Sequence, residues 1–284
     1  MLWENMKKIE EVKKYWDDRP CNIKHSPDPV GTKKYFDQVE QRKYFVEPHI
    51  SKFAQFSRWK NKKVLELGCG IGTDSINFAR NSAYFTCVEI SKKSLDLCEK
   101  RFKIYGLRAR FFEGDVETLN TFLPQEKYDL IYSFGVIHHT PNPEKVFEEI
   151  KEYCHPNTEI RIMLYSKYCW KVFWIILGYG KGKFWKIKEL VPKYSEAQTG
   201  CPVTHIYSFK EIKELMKDYQ ILSIRKEHIF PYKIKRYKNY QYQKMWYFRY
   251  LPKPLFRWLE HRLGWHTLIV AKIKNAHSLR PANS

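Results

Sequence analysis

From Lys63 onward the chain alternates short apolar runs with segments of helical spacing, and no other feature restricts its fold as tightly. Lys63–Leu67, Tyr84–Ile90, Ala109–Glu113, Tyr128–Ser133 and Glu159–Tyr165 read as strands. Thr73–Arg80, Ser91–Tyr105 and Asn142–Tyr153 read as helices, with Ser91 placed as an N-cap and Pro143 in a first turn. Strands joined through helices form a parallel sheet covered on both faces, so the expected class is α/β. A later helix, Ser208–Asp218, and strands Gln220–Glu227 and Thr267–Lys272 extend the expected sheet to seven strands, mostly parallel. The chain has 284 residues, 43% of them hydrophobic, which is ample for such a core.

Three segments fall outside this alternation. The expected organisation is an N-terminal helical lid (1–50), a core (51–165), a cap insertion (166–207), core again (208–228), a basic aromatic cap insertion (229–265), and a last core strand with a tail (266–284). Ligands of open α/β sheets bind outside the carboxyl ends of the strands, so all three added segments are expected to cap one site. Little disorder is expected before the last ten residues, because 17% of the chain is aromatic.

The glycine turn in Val64-Leu-Glu-Leu-Gly-Cys-Gly-Ile-Gly-Thr-Asp74 joins a strand to a helix. Glycines 68, 70 and 72 permit positive φ and let a ligand approach the backbone. After Gly68 and Gly70, a dinucleotide fingerprint needs its third glycine at position 73, which is Thr73, so a pyrophosphate is not the favoured ligand. Glu89 ends the next strand, where an acid can accept both ribose hydroxyls of an adenosine. Asp115 follows the third strand and can receive an adenine amino group; Asp129 opens the fourth. Together these acids outline a nucleoside with no phosphate.

Residues 60–166 resemble the class I S-adenosylmethionine-dependent methyltransferases through VLELGCGIGTD, VEIS, GDVE and YDLIYSFGVIHHTPNPEKVFEEI. Within that superfamily the chain is most similar to the small-molecule branch of methyltransferase type 11 proteins that includes the ubiquinone/menaquinone C-methyltransferases. The resemblance implies a Rossmann-like sheet, S-adenosyl-L-methionine as cofactor, S-adenosyl-L-homocysteine as product, and methyl transfer to a small molecule. It also implies that Glu66, Gly68, Gly70 and Gly72 hold the methionyl part, with Cys69 in the same turn. Glu89, followed by Ile90, would hold the ribose, Asp115 and Val116 the adenine, and Ser133, Phe134 and Gly135 would floor the site beside the sulfonium. Ser133-Phe-Gly-Val136 stands where many methyltransferases acting on planar amines carry Asn/Asp-Pro-Pro-Tyr, which disfavours exocyclic base methylation.

His138 and His139 follow the fourth strand, where the acceptor should meet the methyl group, and imidazole titrates in the right range for a base. They could equally cap the loop. Tyr165, at the end of the fifth strand, is an equal candidate for orienting the acceptor. No H-E-x-x-H and no Cys/His spacing points to a metal.

The net charge of +20 is concentrated late, with +3 over residues 1–165 and +17 over 166–284. Such a field draws anionic partners, and an anionic acceptor is one of them. Residues 230–265 interleave twelve aromatic side chains with nine Lys/Arg, a composition that suits base stacking, a membrane interface or a cation-binding aromatic box. It also suits aromatics packed inward with basic groups outward. Trp170–Lys188 is interfacial in character as well. The rival readings are therefore an RNA or lipid-surface methyltransferase, which is not favoured for nucleic acid, and a non-catalytic binding module; the latter should have lost a cofactor residue, and none is lost. Seven cysteines without a C-x-x-C pair fit reduced thiols in a cytoplasm. The start has no apolar leader, and the longest apolar run, Val172–Leu177, is far short of the roughly 18 residues of a membrane-spanning helix. Peripheral contact with a membrane stays open.

Overall fold

The computed structural model describes residues 2–195 and 200–274. The last ten residues, where the tail is expected, lie outside them. Helices α1 (Leu2–Asp18), α2 (Lys33–Val46) and α3 (His49–Ala54) precede strand β1 (Lys63–Leu67). The alternation then runs α4 (Ser75–Arg80), β2 (Tyr84–Glu89), α5 (Lys92–Ile104), β3 (Arg110–Glu113), β4 (Tyr128–Phe134), α6 (Pro143–Lys151) and β5 (Cys154–Tyr165). The first insertion holds α7 (Trp170–Gly178) and α8 (Ile187–Tyr194), after which α9 (Phe209–Leu215) and β6 (Tyr219–Glu227) return to the sheet. The second holds α10 (Ile234–Lys238), α11 (Trp246–Arg249) and α12 (Lys253–Leu263), and β7 (His266–Ile273) closes the fold.

The seven strands lie in the order β3-β2-β1-β4-β5-β7-β6. Neighbours from β3 to β5 are parallel, and β7 is antiparallel to both β5 and β6. Chain order therefore reverses between β1 and β4, which opens a crevice above their carboxyl ends. Local signals set the helix starts. Ser91 Oγ accepts from the Ser94 N–H, Pro143 occupies the first turn of α6, and Ser208 with Glu211 forms a reciprocal capping box on α9. One sheet face packs on Phe53, Trp59, Ile76, Phe78, Leu95 and Phe102, the other on Leu119, Val146, Phe147, Ile150, Ile212 and Met216.

Two local expectations differ. Strand β5 starts five residues earlier than Glu159, because the Thr158 hydroxyl bonds the Tyr128 carbonyl and the His155 N–H, carrying the pairing across His155-Pro156-Asn157 with a register shift. The N-terminal 50 residues also divide in two. Helices α2 and α3 belong to the core, where Tyr35, Phe36, Val39, Ile50 and Phe53 are fully or almost fully buried. Arg101, wholly buried on α5, donates to Glu40 at 2.7 Å and to the Phe36 carbonyl at 3.3 Å. Removing α2 would strand that guanidinium, at a cost of about 3–5 kcal/mol.

Candidate active site

A cleft of about 950 Å³, counting its open mouth, lies above the carboxyl ends of β1, β2, β3 and β4. Its floor is the β1–α4 turn, with Glu66, Gly68, Cys69, Gly70 and Asp74. Glu89 and Ile90 line it from β2, Asp115 and Val116 from the turn after β3, and Phe134, Gly135 and His139 from the end of β4. Ile9, Val12 and Trp16 of α1 close the opposite wall. Neither insertion contributes a lining residue among the described residues, and of the three added segments only the first does, through α1, Cys21, Asn22 and Lys43. The second insertion instead packs outside α2, with Tyr237 and Tyr240 stacked on the Arg42 guanidinium at 4.1 and 4.4 Å.

The turn geometry explains its glycines. Gly70 has φ of 53°, a β-carbon there would meet nothing within 4 Å, and its N–H donates to Glu89 Oε2 at 2.8 Å. The bare backbone thus faces the cleft, with room for a ligand against it. Gly68, at φ of 75°, has Val136 so close that a β-carbon would lie 2.2 Å from its Cγ2. Gly72 supports the turn from outside the cleft, against Cys98. Ser133 is buried and donates its hydroxyl to the Leu67 carbonyl at 3.3 Å, so it braces β4 against β1 without reaching the lining.

Four lining groups are carboxylates: Glu66, Asp74, Glu89 and Asp115. Glu89 also accepts from the Ser91 N–H at 3.0 Å, and Asp115 accepts from the Glu117 N–H at 2.9 Å. Each carboxylate oxygen accepts two bonds, which leaves both side chains capacity for a ligand's donors. Burial pushes Glu89 up to about 6, opposed by its backbone donors at Ser91 and Gly70, and burial likewise pushes Asp115 up to about 6. Burial and then the Asp74 charge drive Glu66 well above the usual carboxylate range. Lys43, the one cationic lining side chain among the described residues, is spent on Asp74 at 2.8 Å. A pyrophosphate would be repelled here, whereas a nucleoside with an ammonium and a sulfonium finds acceptors and opposite charge. Asp129 does not join the site. It accepts from the Lys63 N–H at 2.8 Å, at the amino ends of β1 and β4 on the far edge of the sheet.

The three acceptor-side candidates separate. His139 lines the cleft, with Trp16 5.3 Å away ring to ring, and its Nδ1 lies 2.8 Å from the Val203 carbonyl. A carbonyl only accepts, so Nδ1 carries the proton and Nε2 the lone pair. His138 is wholly buried, outside the lining, with its ring 3.6 Å from that of Tyr165. Burial, reinforced by His139, holds it neutral, well below the ordinary imidazole range. Tyr165 is buried behind it, stacked on Trp265 at 4.0 Å.

The likeness to known proteins agrees with this geometry. A family profile described as a methyltransferase domain matches residues 64–157. A ubiquinone biosynthesis O-methyltransferase from Haemophilus ducreyi is 24% identical over 168 residues, covering 54% of this chain and 71% of that protein. Its counterpart from Actinobacillus pleuropneumoniae is 25% identical over 54% of this chain and 72% of that protein. Among solved structures, magnesium protoporphyrin IX methyltransferase from Synechocystis PCC 6803, with bound S-adenosylhomocysteine, aligns with a TM-score of 0.57 at 14% identity, over 93% of this chain and 98% of that one. Residues 64–157 carry a methyltransferase domain, and the sheet around them has the fold of the class I S-adenosylmethionine-dependent methyltransferases. The curated relatives just named are O-methyltransferases, where the sequence alone pointed to a branch containing C-methyltransferases.

For a methyltransferase of this class the acid-lined cleft has a pH signature. If Glu89 and Asp115 are to accept from the ribose hydroxyls and the adenine amino group as ionised carboxylates, each must lose its proton before binding. With both groups at about 6, cofactor affinity is expected to be level above pH 7 and to fall by about tenfold for each group between about pH 7 and pH 5. Calorimetric titrations across that range check this; a flat profile contradicts it.

Sequence reasoning missed Lys43 and the role of Asp74. Asp74 closes the glycine motif and takes hydrogen bonds from Tyr44 at 3.0 Å and Tyr132 at 2.9 Å as well as from Lys43, so that α2 and β4 converge on the turn. The fold also gathers two buried groups of ligand-type side chains that no spacing announced. The sulfurs of Cys69, Cys87 and Cys98 lie within 4.8 Å of one another. His266 is hydrogen-bonded to His49 at 2.9 Å and has the Glu47 carboxylate 3.6 Å away on its other side.

Proposed function

We propose that this methyltransferase transfers a methyl group from S-adenosylmethionine to a hydroxyl of a small aromatic acceptor. The reading is carried by four carboxylates and a bare glycine turn meeting in one cleft, with His139 at its acceptor end. Bound there, S-adenosylmethionine supplies a methyl carbon already activated on a sulfonium. Glu89 would accept the ribose hydroxyls, Asp115 and Val116 would hold the adenine, and the bare backbone of Gly68 and Gly70 with Glu66 and Asp74 would hold the methionyl part. Ile9, Val12 and Trp16 exclude water, which strengthens every charge interaction inside. His139 Nε2 takes the proton of the acceptor hydroxyl, while Val203 fixes its tautomer. Trp16 and Phe134 offer aromatic faces to a planar acceptor. An anionic acceptor is compatible with the basic second insertion, whose field acts on approach because none of its cations lines the cleft.

The experiment is transfer of a labelled methyl group to a panel of small phenols, catechol among them. Label should appear as a methyl ether. His139→Ala should lower kcat by about a hundredfold or more and leave cofactor affinity within about twofold. A variant as active as the wild type removes the base, and label on no phenol removes the acceptor class.

A further inference from the structure

Among the described residues every exposed tryptophan, Trp174, Trp185, Trp246 and Trp258, lies in the two insertions. Helix α7 turns Val172 and Ile175 inward and leaves Phe173, Trp174 and Leu177 exposed. Trp170 carries this surface onward, with its ring 5.9 Å from Trp174 and 6.0 Å from Tyr247, which in turn lies 5.6 Å from Trp246. The turn after α7 exposes Lys181, Lys183, Phe184, Trp185 and Lys186 together. In residues 229–265 all nine Lys/Arg are exposed, while the only acid, Glu260, is buried.

Folded proteins rarely leave so many large apolar side chains exposed within two neighbouring insertions without a partner. Tryptophan and tyrosine flanked by lysine is the composition of a lipid interface, where rings sit at headgroup level and cations meet anionic phosphate. No helix among the described residues is long and apolar enough to cross a membrane, so this face would lie on the bilayer. Exposed Leu177, Ile234 and Leu255 gain nothing from stacking on bases but do gain from acyl chains, which favours lipid over RNA. We propose that the two insertions form a docking face for an anionic lipid bilayer. The first insertion also touches the cleft end of β4, where the His205 N–H donates to the His138 carbonyl at 2.8 Å and the Val203 carbonyl accepts from His139.

Sedimentation of the full chain with vesicles tests this independently of turnover. With phosphatidylcholine vesicles containing about one third phosphatidylglycerol, the protein should pellet, at least about tenfold more tightly than with phosphatidylcholine alone, and release at high salt. Tryptophan emission should shift to the blue on binding. The double variant Trp174→Ser/Trp185→Ser and the triple variant Lys181→Glu/Lys183→Glu/Lys186→Glu should each lose about tenfold in vesicle affinity. Both should keep wild-type cofactor binding, since these exposed side chains lie outside the cleft. The proposal is overturned by protein that stays in the supernatant with both vesicle types, by variants that pellet like the wild type, or by retention on single-stranded RNA with none on vesicles.

Discussion

Replacing Glu89 by alanine is expected to weaken S-adenosylmethionine binding at least tenfold while the sheet stays folded. A hydrogen bond to a charged acceptor is worth about 1.5–3 kcal/mol, and the ribose offers two donors to this carboxylate. Tenfold corresponds to about 1.4 kcal/mol, so even one lost bond reaches it. The variant also loses the acceptor that fixes the glycine turn, because Glu89 Oε2 receives the Gly70 N–H at 2.8 Å. Calorimetry with the demethylated product measures the effect, and an affinity within about twofold of wild type would place the ribose elsewhere.

Deleting residues 1–19 is expected to lower turnover by about a hundredfold or more, because the cleft loses its outer wall of Ile9, Val12 and Trp16 and water enters. Among its described side chains the helix buries only Val12 and Tyr15 and is otherwise tethered at its surface. Asp17 accepts from the Ser91 hydroxyl at 2.8 Å, and Lys13 pairs with Glu113 at 2.5 Å with both side chains partly solvated. A surface pair of that kind contributes about 1 kcal/mol or less, so the truncated protein should keep a cooperative melt. Full activity in the truncated protein would show that α1 is no lid. Deleting all of residues 1–50 is a different experiment, expected to unfold the protein, since it takes away Tyr35, Phe36, Val39 and the Glu40 partner of Arg101.

What was legible followed from local signals. Strands β1 to β4 are apolar runs bounded by glycine and polar turns, and the caps at Ser91, Pro143 and Ser208 mark helix starts that need no tertiary information. That Glu66 to Gly70, Glu89 and Asp115 gather at one cleft was legible for the same reason, since they sit at strand ends that the alternation locates. The acceptor side was not. His138 and His139 are adjacent in one short turn (Ile137–His139), which sends one ring into the core behind β5 and the other to the cleft. No periodicity distinguishes them. Lys43 reaches Asp74 from a helix 31 residues upstream, and the division of the N-terminal segment depends on Arg101 finding Glu40 across 61 residues. Pairings of that separation are settled by packing alone. The opposite fates of Asp129 and Asp115, one at an amino end and one past a carboxyl end of the sheet, follow from strand direction.

The central claim is that the cleft above β1 and β4 holds an adenosine through Glu89 and Asp115. A crystal structure of the protein with S-adenosylhomocysteine tests it most directly. The account predicts both ribose hydroxyls within about 3 Å of the Glu89 carboxylate and the adenine amino group at Asp115. A nucleoside bound away from these two side chains, or turned so that solvent takes the ribose hydroxyls, would contradict it.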